Sequence, residues 1–247
     1  MDNLGIAAVS GLRSRMVSLD MLANNIANAA SSGYKGDREF YGVFSSDDSS
    51  NSVDGAGSTT LPVVQHQWTD FSPGVMQVTG NPLDIAVDGK GFFSIQGPKG
   101  TLYTRNGNLR VLPSGELGTA DGYPLLGAGA SPIHVSANKP ITIGLDGTVS
   151  QGTEKVGQIQ VVDFKSTDGL QKVGSAGFEN TTPAVIPTPA ANSQIQQGKL
   201  EGSNVAVSEA AMRLVGIMRQ SEMLQKAIGL SGEMDSKSIQ EVARVGA

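Results

Sequence analysis

Apolar residues recur in alternating steps of four and three near both ends of the chain, and in short runs cut by turn residues between them. Near the start, Leu12, Met16, Leu19, Ala23 and Ile26 step by 4, 3, 4, 3, with Ala8 and Gly5 extending the series backwards. Residues three and four apart share one face, so this spacing predicts an amphipathic helix with a seam for a second helix. The other faces carry Ser14, Arg15, Asn24 and Asn25 and are polar but barely charged. The helix should stop within Ala30-Ser31-Ser32-Gly33, with Gly33 as the left-handed residue past its end. From Ser203 the pattern returns. Ser208 is a candidate N-cap, and Ala210, Leu214, Ile217, Ser221, Leu224 and Ile228 step by 4, 3, 4, 3, 4. Met234, Ile239, Val242 and Val245 continue the series past Gly229 and Gly232, as a helix that frays.

Between the helices the period changes. Leu83-Asp84-Ile85-Ala86-Val87, Gly91-Phe92-Phe93-Ser94-Ile95 and Gln158-Ile159-Gln160-Val161-Val162 read as strands. Ser72-Pro73-Gly74, Asn81-Pro82, Asp88-Gly89, Asn106-Gly107, Asp121-Gly122 and Asp146-Gly147 punctuate them, and the Asn-Gly and Asp-Gly pairs are those that tolerate the positive φ of tight hairpins. Residues 45–60, rich in Ser and Asp, have little to bury and read as a loop. Residues 181–193 carry Pro183, Pro187 and Pro189 and read as an irregular connection. The division that follows is a helix over 1–35, a linker over 36–60, a β-rich domain over 61–200 and a helical segment over 201–247. The fold class is a mainly β middle, an irregular barrel or sandwich, flanked by N- and C-terminal helices that pair with each other.

Composition narrows the function. Glycine fills 32 of 247 positions, well above the usual ~7%. Charged residues make up only 17%, against roughly 25% in an average domain. The net charge of −5, with no run of Lys or Arg, lacks the footprint of a nucleic-acid binder or of a protein drawn to anionic membranes. No stretch is apolar enough to insert as a spanning helix, and no cleavable signal is legible at the N-terminus. The absence of cysteine excludes disulfides, thiolate metal sites and cysteine nucleophiles.

No residue set points to catalysis, a cofactor or a metal. The two histidines, His66 and His134, are not spaced as a metal pair. Asp84 and Asp88 could form a carboxylate pair, but Asp88 precedes Gly89 and reads as a turn residue. Gly89-Lys90-Gly91 lacks the third glycine and the helix of a phosphate cradle and reads as a hairpin. Asp146-Gly147-Thr148 lacks the further ligands of a calcium loop and reads as a type I′ turn. Tyr34, Phe40, Tyr41 and Phe44 read as an anchor for the first helix, and Met212, Met218 and Met223 as interface filler. A β-rich enzyme would need a convergent polar set, which is missing. A binding module would need a ligand for the β middle alone.

Several segments carry a family resemblance. Leu22-Ala23-Asn24-Asn25-Ile26-Ala27-Asn28 followed by Ser32-Gly33-Tyr34-Lys35 resembles the N-terminal signature of bacterial flagellar rod and hook proteins. Gly80-Asn81-Pro82-Leu83-Asp84-Ile85-Ala86-Val87-Asp88-Gly89-Lys90-Gly91-Phe92-Phe93 is similar to the family's central motif, and Tyr103 to Leu109, Asp121 to Gly127 and Ile141 to Val149 continue it. Leu200-Glu201-Gly202-Ser203-Asn204-Val205 closes the series. Arg219-Gln220-Ser221-Glu222 departs from the family, which usually has an aromatic there, and residues from Gly229 on follow it poorly. Within the family the chain is most similar to proximal-rod members, and next to distal-rod members.

The resemblance implies a structural, non-enzymatic subunit without cofactor. It would leave the cytoplasm through the flagellar type III export apparatus without a cleaved signal peptide. In the periplasmic space it would assemble head-to-tail, with its own copies and other rod proteins, into the basal-body rod. Its terminal helices would form a coiled-coil layer inside a tube, with the β middle outside. The expected assembly interface sets Leu12, Met16, Leu19, Ala23 and Ile26 against Leu214, Ile217, Leu224 and Ile228, with Asn24, Asn25 and Asn28 supplying hydrogen bonds. Without partners the two ends are expected to be disordered.

Overall fold

A computed structural model describes residues 3–45, 60–136 and 139–245. It is mainly β, with one helix at each end: α1 (Asn3–Ala27) and α2 (Val207–Val245). The chain divides into two compact units. Unit 1 holds Met1–Ala27, Asp37–Asp70 and Ala206–Ala247; unit 2 holds Asn28–Gly36 and Phe71–Val205.

In unit 1, α1 packs along α2 and also against a long antiparallel hairpin, β1 (Asp37–Ser45) with β2 (Thr60–Thr69). The hairpin register slips between Phe40 and Tyr41. β1 occupies the stretch expected to be a linker. Its Phe40-Tyr41-Gly42-Val43-Phe44 run is rich in aromatic and β-branched residues, which suit a strand, but lacks the alternation that would mark one. Of the 45–60 loop expected from sequence, residues 46–59 lie outside the described residues. α1 ends at Ala27, a turn earlier than the sequence predicts. α2 is one continuous helix through Gly229 and Gly232, and it opens at Val207, so Ser208 lies inside its first turn rather than at its cap.

Unit 2 carries β3 (Met76–Val78), β4 (Ile85–Asp88), β5 (Phe92–Gly97), β6 (Gly100–Thr104), β7 (Leu109–Val111), β8 (Leu117–Thr119), β9 (Ile141–Ile143), β10 (Thr148–Gln151), β11 (Glu154–Gln158), β12 (Val161–Asp163), β13 (Leu170–Val173), β14 (Gly177–Asn180), β15 (Thr188–Pro189), β16 (Gln194–Gln197) and β17 (Lys199–Glu201). The largest sheet has the order β13-β14-β6-β5-β12-β15, and a second has β11-β10-β9. Two-stranded pairs β16-β4, β17-β3 and β7-β8 complete the unit. All pairings are antiparallel, and no closed barrel forms among the described residues.

The core has two parts, divided by β5. Phe93 and Ile95 enter an aliphatic cluster with Ile85, Leu117, Leu125 and Val149, all at most 3% exposed. Phe92 enters an aromatic cluster in which Phe71, Tyr103, Phe164 and Phe178 meet edge-to-face with centroids 4.8–5.9 Å apart. Such contacts add to area burial because ring edges and faces carry opposite partial charge.

Three turn readings are corrected by the pairing. β4 pairs with β16 while β5 pairs with β6 and β12, so Gly89-Lys90-Gly91 is a crossing between sheets and not a hairpin. Asn106-Gly107 likewise joins unpaired β6 and β7; a Cβ on Gly107 would fall on the Ile85 carbonyl oxygen, which is why glycine stands there. At Asp146-Gly147 only the glycine has positive φ, at 82°, so the turn is not type I′, which needs both. The expected strand 158–162 is also broken: Ile159 turns into the core as the chain passes from β11 to β12.

Candidate functional site

In unit 2 the residues that leave α1 and those that lead into α2 are tied to each other. Gly33 donates its N–H to the Glu201 carbonyl oxygen at 2.7 Å, and Asn204 donates its own to Tyr34 O at 3.4 Å. Gly36 N–H donates to Asn204 Oδ1 at 2.7 Å, while Asn204 Nδ2 donates to Ser72 O at 3.2 Å. Gly33 has φ +69°, and a Cβ there would strike the Arg105–Asn106 backbone at 2.3–2.4 Å. The left-handed glycine predicted from sequence therefore serves close backbone approach, not the end of α1.

Beneath this stitching lies a buried charge cluster. Lys35 Nζ donates to Glu201 Oε1 at 2.6 Å and to Ser72 O at 2.7 Å, and both charged side chains are fully buried. Glu201 Oε1 also accepts from Gly74 N–H at 2.9 Å. Arg105 Nη1 donates to Glu201 Oε2 at 3.1 Å and to Val87 O at 3.3 Å, and its Nη2 donates to Gly89 O at 2.9 Å. The Arg105 guanidinium stands 5.4 Å from the Phe92 ring centroid. Two cations thus share one carboxylate, and the carbonyl oxygens of Ser72, Val87 and Gly89 take up the excess positive field. Nearby, Lys172 Nζ lies 4.3 Å from the centre of the buried Tyr34 ring. A buried charge that loses its partner is left uncompensated, so removal of Glu201 would strand two cations at once. Apart from Arg105 Nε, which is buried without a hydrogen-bond partner among the described residues, the named charged groups bond within the chain itself, so the cluster acts as a clasp.

Lys35, Glu201, Arg105 and Asn204 stand inside the motifs quoted above, but nothing beside them marks them as buried: Asp37, Arg38 and Glu39 follow Lys35 closely, and Lys199 stands two residues before Glu201.

The expected interface residues lie in unit 1. On α1, Leu12, Leu19 and Ile26 are half-buried, and Met16 and Ala23 are exposed. The most buried face of α1 is instead Ala8, Gly11, Ser14, Ser18, Met21, Leu22 and Asn25. This face meets β1 through polar bonds: Ser18 donates to Glu39 Oε2 at 2.6 Å, and Asn25 exchanges two hydrogen bonds with the Asp37 backbone at 2.8 and 3.0 Å. Asn25 is therefore engaged within its own chain. Asn24 is exposed and Asn28 half-buried. On α2, Ile217 is buried together with Ala210 and Ser221, and Leu214, Leu224 and Ile228 are half-buried on the same side. Phe40 is exposed, and the side chains of Tyr41, Phe44 and His66 lie outside those described.

The residues weighed for chemistry have structural partners. Asp84 accepts from Asn81 Nδ2 and Asn108 Nδ2, each at 3.2 Å, and Asp88 accepts from Gln196 at 2.6 Å. Asp146 accepts from Thr148 Oγ1 at 2.7 Å, which holds its carboxyl below the ordinary value. Among the described residues no three metal-ligating side chains cluster, and no helix is long and apolar enough to cross a membrane.

Comparison with known proteins joins these features. Residues 86–151 match the family described as flagellar hook protein FlgE/F/G D1 domain, and residues 196–241 match the flagellar basal body rod FlgEFG protein C-terminal family. The chain is 32% identical over 246 residues to the flagellar basal-body rod protein FlgF of Caulobacter vibrioides, covering 99% of this chain and 100% of that protein. It is 32% identical to FlgG of Bacillus subtilis, covering 92% and 94%, and 29% identical to FlgF of Salmonella typhimurium, covering 97% and 98%. The chain belongs to the flagellar basal-body rod protein family, whose members are structural and not enzymes.

Proposed function

We propose that the protein is a structural subunit of the proximal part of the flagellar rod, assembling head-to-tail with its own copies and other rod proteins into the axial drive shaft. One observation carries this reading: unit 2 closes its own core, while α1 and α2 keep apolar side chains such as Met16, Met212 and Met223 in solvent. A helix exposing such a stripe is completed by assembly. Head-to-tail contacts whose rotation does not close generate a helical rod. In this reading the half-buried and exposed residues of the two stripes, from Leu12 to Ile26 and from Leu214 to Ile228, close into a coiled-coil layer. The subunit reaches the periplasmic space through the flagellar export apparatus.

A place in the distal rod is the second reading, because FlgG of Bacillus subtilis is matched at the same identity as FlgF of Caulobacter vibrioides. The fuller coverage of the latter favours the proximal place. Quantitative mass spectrometry of purified hook and basal-body particles decides between them. A few copies per particle are expected; a several-fold higher count moves the subunit to the distal rod, and absence overturns the structural reading.

A further inference from the structure

Unit 2 holds a cleft of about 240 Å³ over the end of β6. It opens there because β14 pairs with β6 over two residues only, Gly177 with Thr104 and Phe178 with Tyr103. One wall is the Thr119–Tyr123 turn, closed by Thr119 N–H to Tyr123 O at 2.9 Å and Gly122 N–H to Thr119 O at 3.0 Å. The other wall is the turn between β13 and β14, where Gly174 has φ +70°. Gly174-Ser175-Ala176-Gly177 carries hardly any side chain, so this wall leaves the space unfilled.

The floor is apolar: Ile95 and Leu102 stand opposite each other on β5 and β6, and the half-buried Tyr123 ring joins them. Around it stand polar groups that the fold does not use. Asn106 Oδ1 accepts from Asn108 N–H at 3.0 Å, which fixes the amide and leaves Nδ2 to donate. Thr119 Oγ1, on a residue 3% exposed, accepts from Tyr123 N–H at 3.3 Å and keeps its own proton for donation. Among the described residues, Asn106 Nδ2, Tyr123 Oη, Ser175 Oγ and the Asp121 carboxylate have no hydrogen-bond partner. The Thr104 hydroxyl is the contrast, since it donates to Ala176 O at 2.7 Å and accepts from Asn106 N–H at 2.9 Å.

This lining selects its ligand. Asp121 is the one charged residue in it, so an anion would be repelled with no lining cation to receive it. Asp121 is also exposed, and a single exposed carboxylate holds a cation weakly. A purely apolar ligand would cover donors and acceptors without pairing them. The volume falls below the roughly 300–1,000 Å³ of sites for larger ligands, which suits a single ring. A sugar ring has C–H faces for an apolar or aromatic surface and hydroxyls on its rim for hydrogen bonds.

We propose that this cleft binds one ring of a neutral saccharide, its C–H face on Ile95, Leu102 and Tyr123 and its hydroxyls on Asn106, Thr119, Asp121 and Ser175. The proposal goes beyond the rod reading and does not depend on it. The test is a titration of the isotope-labelled full chain, followed through its backbone amides, with maltotriose and with the trimer of N-acetylglucosamine. At least one should bind saturably with Kd of about 1 mM or below and move the amides of Asn106, Thr119 and Ser175. Trigalacturonate, a trimer of the same size bearing carboxylates, should not bind. Asp121→Asn should weaken the neutral trimer about tenfold, the worth of one hydrogen bond to a charged group, with thermal unfolding unchanged. Ser175→Trp, on an exposed turn, should fill the cleft and abolish binding while β5 and β6 keep their amide positions. No response to either neutral trimer, binding that survives Ser175→Trp, or equal binding of trigalacturonate overturns the site.

Discussion

Unit 2 and unit 1 answer the same requirement, to hide apolar surface, in opposite ways. Unit 2 buries both faces of β5 between an aliphatic and an aromatic cluster, and Phe93, Phe178, Ile85, Leu117, Leu125 and Val149 are sealed from solvent. Unit 1 buries small residues on α1, Ala8, Gly11, Ser14 and Ser18, and leaves Val9, Met16, Met212, Met218, Met223, Leu230 and Met234 outside. One unit is a finished domain. The other is a component, and its missing neighbours are where assembly energy is stored. Low charge suits this, since lone charges trapped in a crowded wall would be costly.

The sharpest way to break the contrast is to charge the helical stripe. Leu19→Asp is expected to abolish rod growth and motility while the denaturant midpoint of unit 2 stays at its wild-type value; normal swimming would refute the seam. In dilute solution, amide exchange should be fast in α1 and α2 and slow in β5, β6 and β14. Protection at both chain ends would contradict the reading of unit 1 as incomplete.

Next comes the clasp. Glu201→Ala leaves Lys35 and Arg105 buried without their carboxylate and should cost about 3–5 kcal/mol in chemical denaturation. Lys35→Ala should cost less, because Arg105 still pairs with Glu201. A reversed order would show that Arg105 is the dispensable cation. Asn25→Ala strands the Asp37 backbone groups and should lower incorporation of the chain into basal-body particles while the denaturant midpoint of unit 2 stays at its wild-type value.

The smallest effect concerns acid. Thr148 holds the Asp146 carboxyl below its ordinary value of 3.8 through hydroxyl and backbone hydrogen bonds. A group depressed on folding contributes stability above its unfolded value and loses it as pH falls through the folded one. Thr148→Ala should therefore flatten the wild-type loss of stability below about pH 4, slightly, because Asp146 is fully exposed; identical acid titration curves would remove the role.

What could be read from the sequence follows from how locally each feature is determined. The stripe on α2 was legible because a helix writes its face into neighbouring residues. The turn pairs correctly marked a β-rich middle, yet Asn106-Gly107 was mistaken for a hairpin because turn chemistry does not reveal which strands pair. β1 was hidden because its aromatic run does not alternate. The clasp was out of reach because Lys35 and Glu201 are 166 residues apart, and a fully buried lysine looks, in a sequence, like any surface lysine.

The chain crosses between its two units four times, after Ala27, Gly36, Asp70 and Val205. The ends of these crossings in unit 2 are lashed at Gly33, Lys35, Ser72, Glu201 and Asn204, so none can slide before its neighbours do. The four connecting segments are thus tied to one another inside unit 2, so a pull on any one of them is carried by the others.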